Sequence, residues 1–134
     1  MPEILRIVDA NINRLIEGLR VVEDILRFYY QNKILFGKIR MLRHNLARLS
    51  FEVWNRKKLV SCRRSREDIG RILNNLEKKR KNIEEVVYFN LQRAKESLRV
   101  LEELSKLKDA ESSGRFKKMR FKLYELEKQI LKKI

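Results

Sequence analysis

Apolar residues recur at three- and four-residue steps along most of this chain, which predicts helices. Over residues 3–30, Ile4, Ile7, Val8, Leu15, Leu19, Val22, Ile25, Leu26 and Tyr29 form one stripe. Pro2 precedes it, where a missing N–H costs nothing. Gln31-Asn32-Lys33 reads as a turn. A second helix is predicted over about 34–54, with Leu35, Ile39, Leu42, Leu46, Leu49 and Val53 on one side. The pattern then breaks over 55–81, where Gly70 and Asn74-Asn75 interrupt any long helix, leaving a crossover with one short helix. Asn82, three residues before Glu85, has the spacing of a capping box and opens a third helix running to about 108. Asp109, Ser112, Ser113 and Gly114 read as a connection. A fourth helix over about 115–133 carries Met119, Leu123, Leu126 and Ile130.

The polar positions repeat as well. Residues 11–27 read NINRLIEGLRVVEDILR and residues 90–106 read NLQRAKESLRVLEELSK. At an offset of 79, seven of seventeen positions are identical, Asn11/Asn90, Arg14/Arg93, Glu17/Glu96, Arg20/Arg99 and Glu23/Glu102 among them. Unrelated amphipathic helices share apolar phase but not a run of Asn, Arg and Glu. The match continues at an offset of 77, with Leu42-Arg43, Leu46 and Leu49 against Met119-Arg120, Leu123 and Leu126. The chain therefore reads as one all-α domain, 1–134, built from a duplicated helical hairpin. Its halves are about 3–54 and 82–133, and the expected assembly is a four-helix antiparallel bundle with a long basic crossover.

Composition narrows the function classes. One proline and four glycines in 134 residues are too few for the turns of a β-sandwich. No apolar run reaches the roughly 18–20 residues of a membrane span, and no secretory signal opens the chain. The single cysteine, Cys62, fits a reducing compartment, so a cytoplasmic protein is expected. Abundant Lys, Arg and Glu with few amides suit heat adaptation. The net charge of +15 favours anionic partners, and residues 56–81 hold eleven basic against three acidic side chains.

Helical phase puts Asn11 and Asn90 in the middle of their apolar stripes, with Gly18 and Ser97 two turns on. A small residue there lets a helix or a ligand approach the backbone. Arg14, Glu17 and Asp24 run down one flank, repeated as Arg93, Glu96 and Glu103. Two readings stay open. Asn11 and Asn90 pair across the pseudo-twofold and fix register, with Arg14–Glu17 and Glu96–Arg99 as ordinary ion pairs. Alternatively, the duplicated helices enclose a polar pocket in which Asn supplies hydrogen bonds and Arg meets an anion. The lone His44 projects away from its stripe and reads as a surface residue. Phe28, Tyr29 and Tyr30 read as core or dimer-contact aromatics, which makes a homodimer an expectation.

The string RIVDANINRLIEGLRVVEDILRF at 6–28 resembles the signature of a small all-helical family of thiamine biosynthesis, the alternative hydroxymethylpyrimidine-phosphate kinases, often fused ahead of thiamine-phosphate synthase. The resemblance extends to Leu42-Arg43-His44, Asp68-Ile69-Gly70 and EEVVYFNLQRAKESLRVLEEL at 84–104. Where the family often has Arg-Asp before the Asp-x-Gly element, this chain has Arg63-Arg64. The resemblance implies phosphoryl transfer from ATP, with Mg²⁺, to a phosphorylated pyrimidine, and thiamine-phosphate synthase as a partner. Arg14, Glu17, Arg93 and Glu96 are then the catalytic candidates. Asn11, Arg20, Asn90, Arg99, Arg63 and Asp68 are the substrate-binding ones, and Asp9 and Asp24 the Mg²⁺ candidates. Rival readings are a non-catalytic nucleic-acid-binding bundle, a chorismate-mutase-like enzyme, and a module that only docks a synthase.

Overall fold

The computed structural model describes residues 1–72 and 79–134; Asn74-Asn75 lie outside the described residues. The described residues form helices and turns with no strand. Helix α1 spans Pro2–Asp24 and continues into a π-helical turn, Ile25–Tyr29. Gln31 ends it with a φ of 51°, the left-handed conformation more usual for glycine. Helix α2 (Lys33–Val53) starts under the Asn32 side chain, which accepts from the Leu35 N–H. Among its described residues the crossover holds a short helix, α3 (Arg56–Ser61), and two 3-10 turns, Ser65–Glu67 and Ile69–Arg71. Helix α4 (Ile83–Ser105) is capped by Asn82, as its spacing predicts. Helix α5 spans Ala110–Lys133.

The start of α5 corrects the sequence reading, which began this helix at 115. Asp109 is the N-cap and accepts from the Ser112 N–H at 2.6 Å. Ser112, Ser113 and Gly114 are therefore helical and no connection. Ser113 is buried and donates its hydroxyl to the Glu102 carbonyl at 2.9 Å. The polar, glycine-containing string reads as a loop from sequence, whereas the Ser113 hydroxyl finds its partner on another helix.

The four long helices pack antiparallel to their neighbours. The turn at 30–32 folds α2 back along α1. At the far end of α2, Trp54 donates to Ser105 at 3.3 Å and Lys108 to the Val53 carbonyl at 2.6 Å. The end of α4 thus lies beside the start of α1. Arg115–Glu52 and Lys38–Gln129 contacts run α5 antiparallel to α2. The crossover must consequently travel the length of the bundle, roughly 30 Å for a 21-residue helix, to reach the start of α4.

The repeat is visible in the packing. Val8, Ile12, Leu19 and Val22 are buried, and so are Val87, Leu91, Leu98 and Leu101, 79 positions on. Gly18 lets α1 approach α4 closely, since a Cβ there would stand 3.0 Å from the Asn90 carbonyl oxygen. Its repeat partner Ser97 is also buried. Glu23 and Glu102 are both buried, and each meets an arginine from the second helix of its own half, Arg43 and Arg120.

Candidate functional site

Asn11 and Asn90 do not bond one another. Each donates its Nδ2 to the carbonyl four residues back, Asn11 to Ile7 at 2.9 Å and Asn90 to Val86 at 2.8 Å. That bond satisfies the amide donor within one helix and leaves the acceptor Oδ1 for other uses.

Asn11 opens onto a cleft of about 530 Å³ between the first half of α1 and the crossover. The volume falls within the range of about 300–1,000 Å³ usual for small-molecule sites. From α1 come Arg6, Asn11 and Arg14, with Arg6 and Arg14 two helical steps apart. The crossover contributes Arg63, Arg64, Ser65 and Asp68. Four of the expected site residues, Asn11, Arg14, Arg63 and Asp68, thus meet in one place. The lining contains no α4 residue.

Arg63 holds the cleft closed on one side. It donates from Nε and Nη2 to the two carboxylate oxygens of Asp9, at 2.7 and 2.8 Å. Asp9 itself is buried, and Asn13 reaches it at 3.5 Å. This hydrogen bond and the Asp9 charge raise the Arg63 pKa, so the guanidinium stays protonated. The Asp68 side chain turns back to accept from the Gly70 N–H at 2.8 Å, fixing the 3-10 turn.

Apart from Asp9, which also lines the cleft, the remaining expected residues lie elsewhere. Arg20 and Arg99 brace acids on their own helices. Arg20 sits 3.4 Å from Asp24 and 3.9 Å from Glu23; Arg99 sits 2.7 Å from Glu102 and 3.0 Å from Glu103. Arg14, Glu17, Arg93 and Glu96 are exposed. Among the described residues no carboxylate stands within 4.0 Å of Arg14 or Arg93, so the Arg14–Glu17 pairing does not form, and Arg99 pairs forward instead of with Glu96. The Mg²⁺ candidates Asp9 and Asp24 are both engaged by arginines. Among the described residues, no group of three His, Cys, Asp or Glu side chains is placed to hold a metal ion.

Arg6, Arg64 and Ser65 line the cleft but were not singled out from sequence. Arg6 lies two helical steps before Arg14, so extending that α1 face backwards would have found it. Arg64 and Ser65 carry no periodic signal and are placed only by the path of the crossover. His44 is exposed and apart from the cleft. Phe28 and Tyr29 are exposed at the far end of α1. Among the described residues no helix is long and apolar enough to cross a membrane.

Comparison with known proteins adds the family. The chain is 37% identical over 129 residues to a thiamine-phosphate synthase of Synechocystis sp., covering 96% of this chain and 36% of that protein. It is 36% identical over 126 residues to a thiamine-phosphate synthase of Thermosynechococcus vestitus, covering 93% of this chain and 34% of that one. A relative of the same name from Rhodopirellula baltica is 34% identical over 122 residues, covering 90% and 32%. The chain spans about a third of the length of these curated relatives. No solved structure matches it. A family model described as the ThiD2 family matches residues 6–129, which take in both repeats, the crossover and the cleft, and the chain belongs to that family.

Proposed function

We propose that this protein works in thiamine biosynthesis as a phosphotransferase, moving the γ-phosphoryl group of ATP onto the phosphate of hydroxymethylpyrimidine phosphate. Membership of the ThiD2 family and the likeness to thiamine-phosphate synthases support the pathway. The observation that carries the chemistry is the α1–crossover cleft, where Arg14 has no carboxylate partner beside the free amide oxygen of Asn11 and the Arg63–Asp9 pair.

In this reading an oxygen of the acceptor phosphate attacks the γ-phosphorus. A P–O bond forms, the bond from that phosphorus to the β-phosphate oxygen breaks, and its electron pair leaves on ADP. The acceptor oxygen is already ionised at neutral pH, so no general base is needed, and the cleft has no histidine. Catalysis then rests on positioning and on cations meeting the equatorial oxygens. Arg14 does the second, and Asn11 accepts from the amino group of the pyrimidine. Mg²⁺ arrives with ATP as part of the substrate. Asp68 shapes the turn that closes the cleft.

A coupled ADP-release assay tests this. Turnover should require the pyrimidine phosphate, and Arg14→Met should lower it by ~10³-fold, the scale of arginines that stabilise phosphoryl transfer. Lys132→Met, an equal change in net charge on exposed α5, should leave it near wild type. Equal losses in both would instead mark a general basic surface.

A further inference from the structure

The duplication allows one half of the molecule to serve as a control for the other. At the offset of 79, Arg6 corresponds to Glu85, Asp9 to Tyr88, Ala10 to Phe89 and Asn13 to Gln92. The second half does form a cleft near the start of α4, of about 420 Å³. Its lining includes Glu84, Glu85, Tyr88 and Phe89. Glu85, standing where Arg6 stands, accepts from the Lys81 N–H at 2.8 Å. Tyr88, in the place of Asp9, packs edge-on against Phe89 with ring centroids 5.4 Å apart. The helical scaffold is duplicated, and Arg14 has its counterpart in Arg93, but Arg6, the crossover cations and the anchoring carboxylate have none, and Arg93 does not line the second cleft.

The carboxylates of the first cleft are accounted for. Glu3 lies 3.8 Å from the terminal amine, Asp9 is bound by Arg63, and Asp68 is turned to Gly70. Arg6 and Arg14 have no carboxylate partner among the described residues, and Arg64 has only an exposed one, Glu67, at 3.9 Å. Three guanidinium groups are therefore left for an incoming anion.

Asp9 also decides whether Arg64 and Ser65 are there at all. On the α3 side, Leu59 is buried and pins the crossover. From Arg63 to Ile72 every side chain is exposed. Among the described residues of that stretch, the Arg63–Asp9 pair is the hydrogen-bonded tie to the bundle. Losing it would free the strap and leave Asp9 buried without its cation.

We infer that each chain binds one polyphosphate-bearing ligand, in the α1 cleft alone, and that Asp9 is the positioning residue whose grip on Arg63 holds Arg64 and Ser65 over it. This deepens the proposed function and shares its cleft, but it does not depend on turnover.

The test is calorimetric titration of the full chain with inorganic pyrophosphate at about 150 mM salt, where charges farther apart than about 8 Å are screened. One pyrophosphate per chain is expected. Arg6→Met should weaken binding by about tenfold, as loss of a charge-assisted contact does. Asp9→Asn should weaken it at least as much and speed trypsin cleavage of the strap after Arg64, Arg66 and Arg71 relative to wild type. Arg63→Lys keeps the charge but loses the two-pronged fit, and should fall between wild type and Asp9→Asn in both measurements. Should Asp9→Asn fail to fold, Arg63→Gln at an exposed position replaces it. Two sites per chain, wild-type affinity and trypsin resistance in the Asp9 and Arg63 variants, or no pyrophosphate binding by the wild type would each overturn the inference. One-to-one, Asp9-dependent binding by protein that releases no ADP would uphold it and remove the kinase reading.

Discussion

Glu23 accepts two hydrogen bonds from Arg43, at 2.8 and 3.3 Å, while only 3% of its surface meets solvent. The equivalent Glu102 meets Arg120 at 3.1 Å and Arg99 at 2.7 Å. A carboxylate this deep is stable only while its cation is present. Arg43→Met removes the close partner and leaves Arg20, at 3.9 Å, as the nearest. It should cost about 3–5 kcal/mol in urea unfolding, the range for breaking a buried pair. Replacing both members, as Glu23→Leu with Arg43→Met, should recover a large part of that. A loss below about 1 kcal/mol for the single change, as for a surface ion pair, would contradict the assignment.

The glycines separate close approach from open space. A Cβ at Gly18 would meet the Asn90 backbone oxygen at 3.0 Å, and backbone cannot rotate away. Gly18→Ala should destabilise the protein by about 1–3 kcal/mol, as overpacking does. Nothing lies within 4 Å of a Cβ at Gly37, on the exposed side of α2. Gly37→Ala should stabilise by about 0.5–1 kcal/mol through helix propensity. Denaturation midpoints of the two variants should move in opposite directions; movement in the same direction would refute the α1–α4 contact.

Acid should loosen the start of α5. The Asp109 carboxyl titrates below its ordinary value because Ser112 donates its backbone N–H and its hydroxyl to the charged form. A lowered folded pKa contributes stability that is present above the unfolded value, near pH 4, and is lost as the pH falls through the lower folded value. The difference in melting temperature between wild type and Asp109→Asn should be constant above about pH 5 and shrink on acidification. Parallel curves down to about pH 2.5 would show that the cap carries no such linkage.

Much of this fold was legible because the helices are amphipathic and duplicated. The stripes predicted α1, α2 and α4, and the Asn82–Glu85 spacing predicted a capped start. The early start of α5 was hidden because Ser113 bonds to α4, a partner distant in sequence. The site was legible only in part, for a related reason. The repeated Asn, Arg and Glu positions reported symmetry, and much of that set braces the bundle: Arg20, Glu23, Arg99 and Glu102 hold one another and their neighbours. The cleft lies where the symmetry fails, at Asp9 and Arg63, which no periodicity connects. A repeat marks what the two halves share, whereas a crossover present in one half alone is read only once its path is known.

A cleft that transfers a phosphoryl group between phosphates must yield a pyrophosphate ester, and that product is what to measure. ³¹P NMR of the protein with ATP, Mg²⁺ and hydroxymethylpyrimidine phosphate should show the acceptor's monoester signal replaced by the coupled pair of a pyrophosphate ester, with ADP appearing in equal amount. Arg14→Met should slow this by ~10³-fold while its unfolding midpoint stays near wild type, since the side chain is exposed and the long apolar stem is kept. ADP formed together with free phosphate and no pyrophosphate ester, or no ADP from folded protein at its working temperature, would contradict the account.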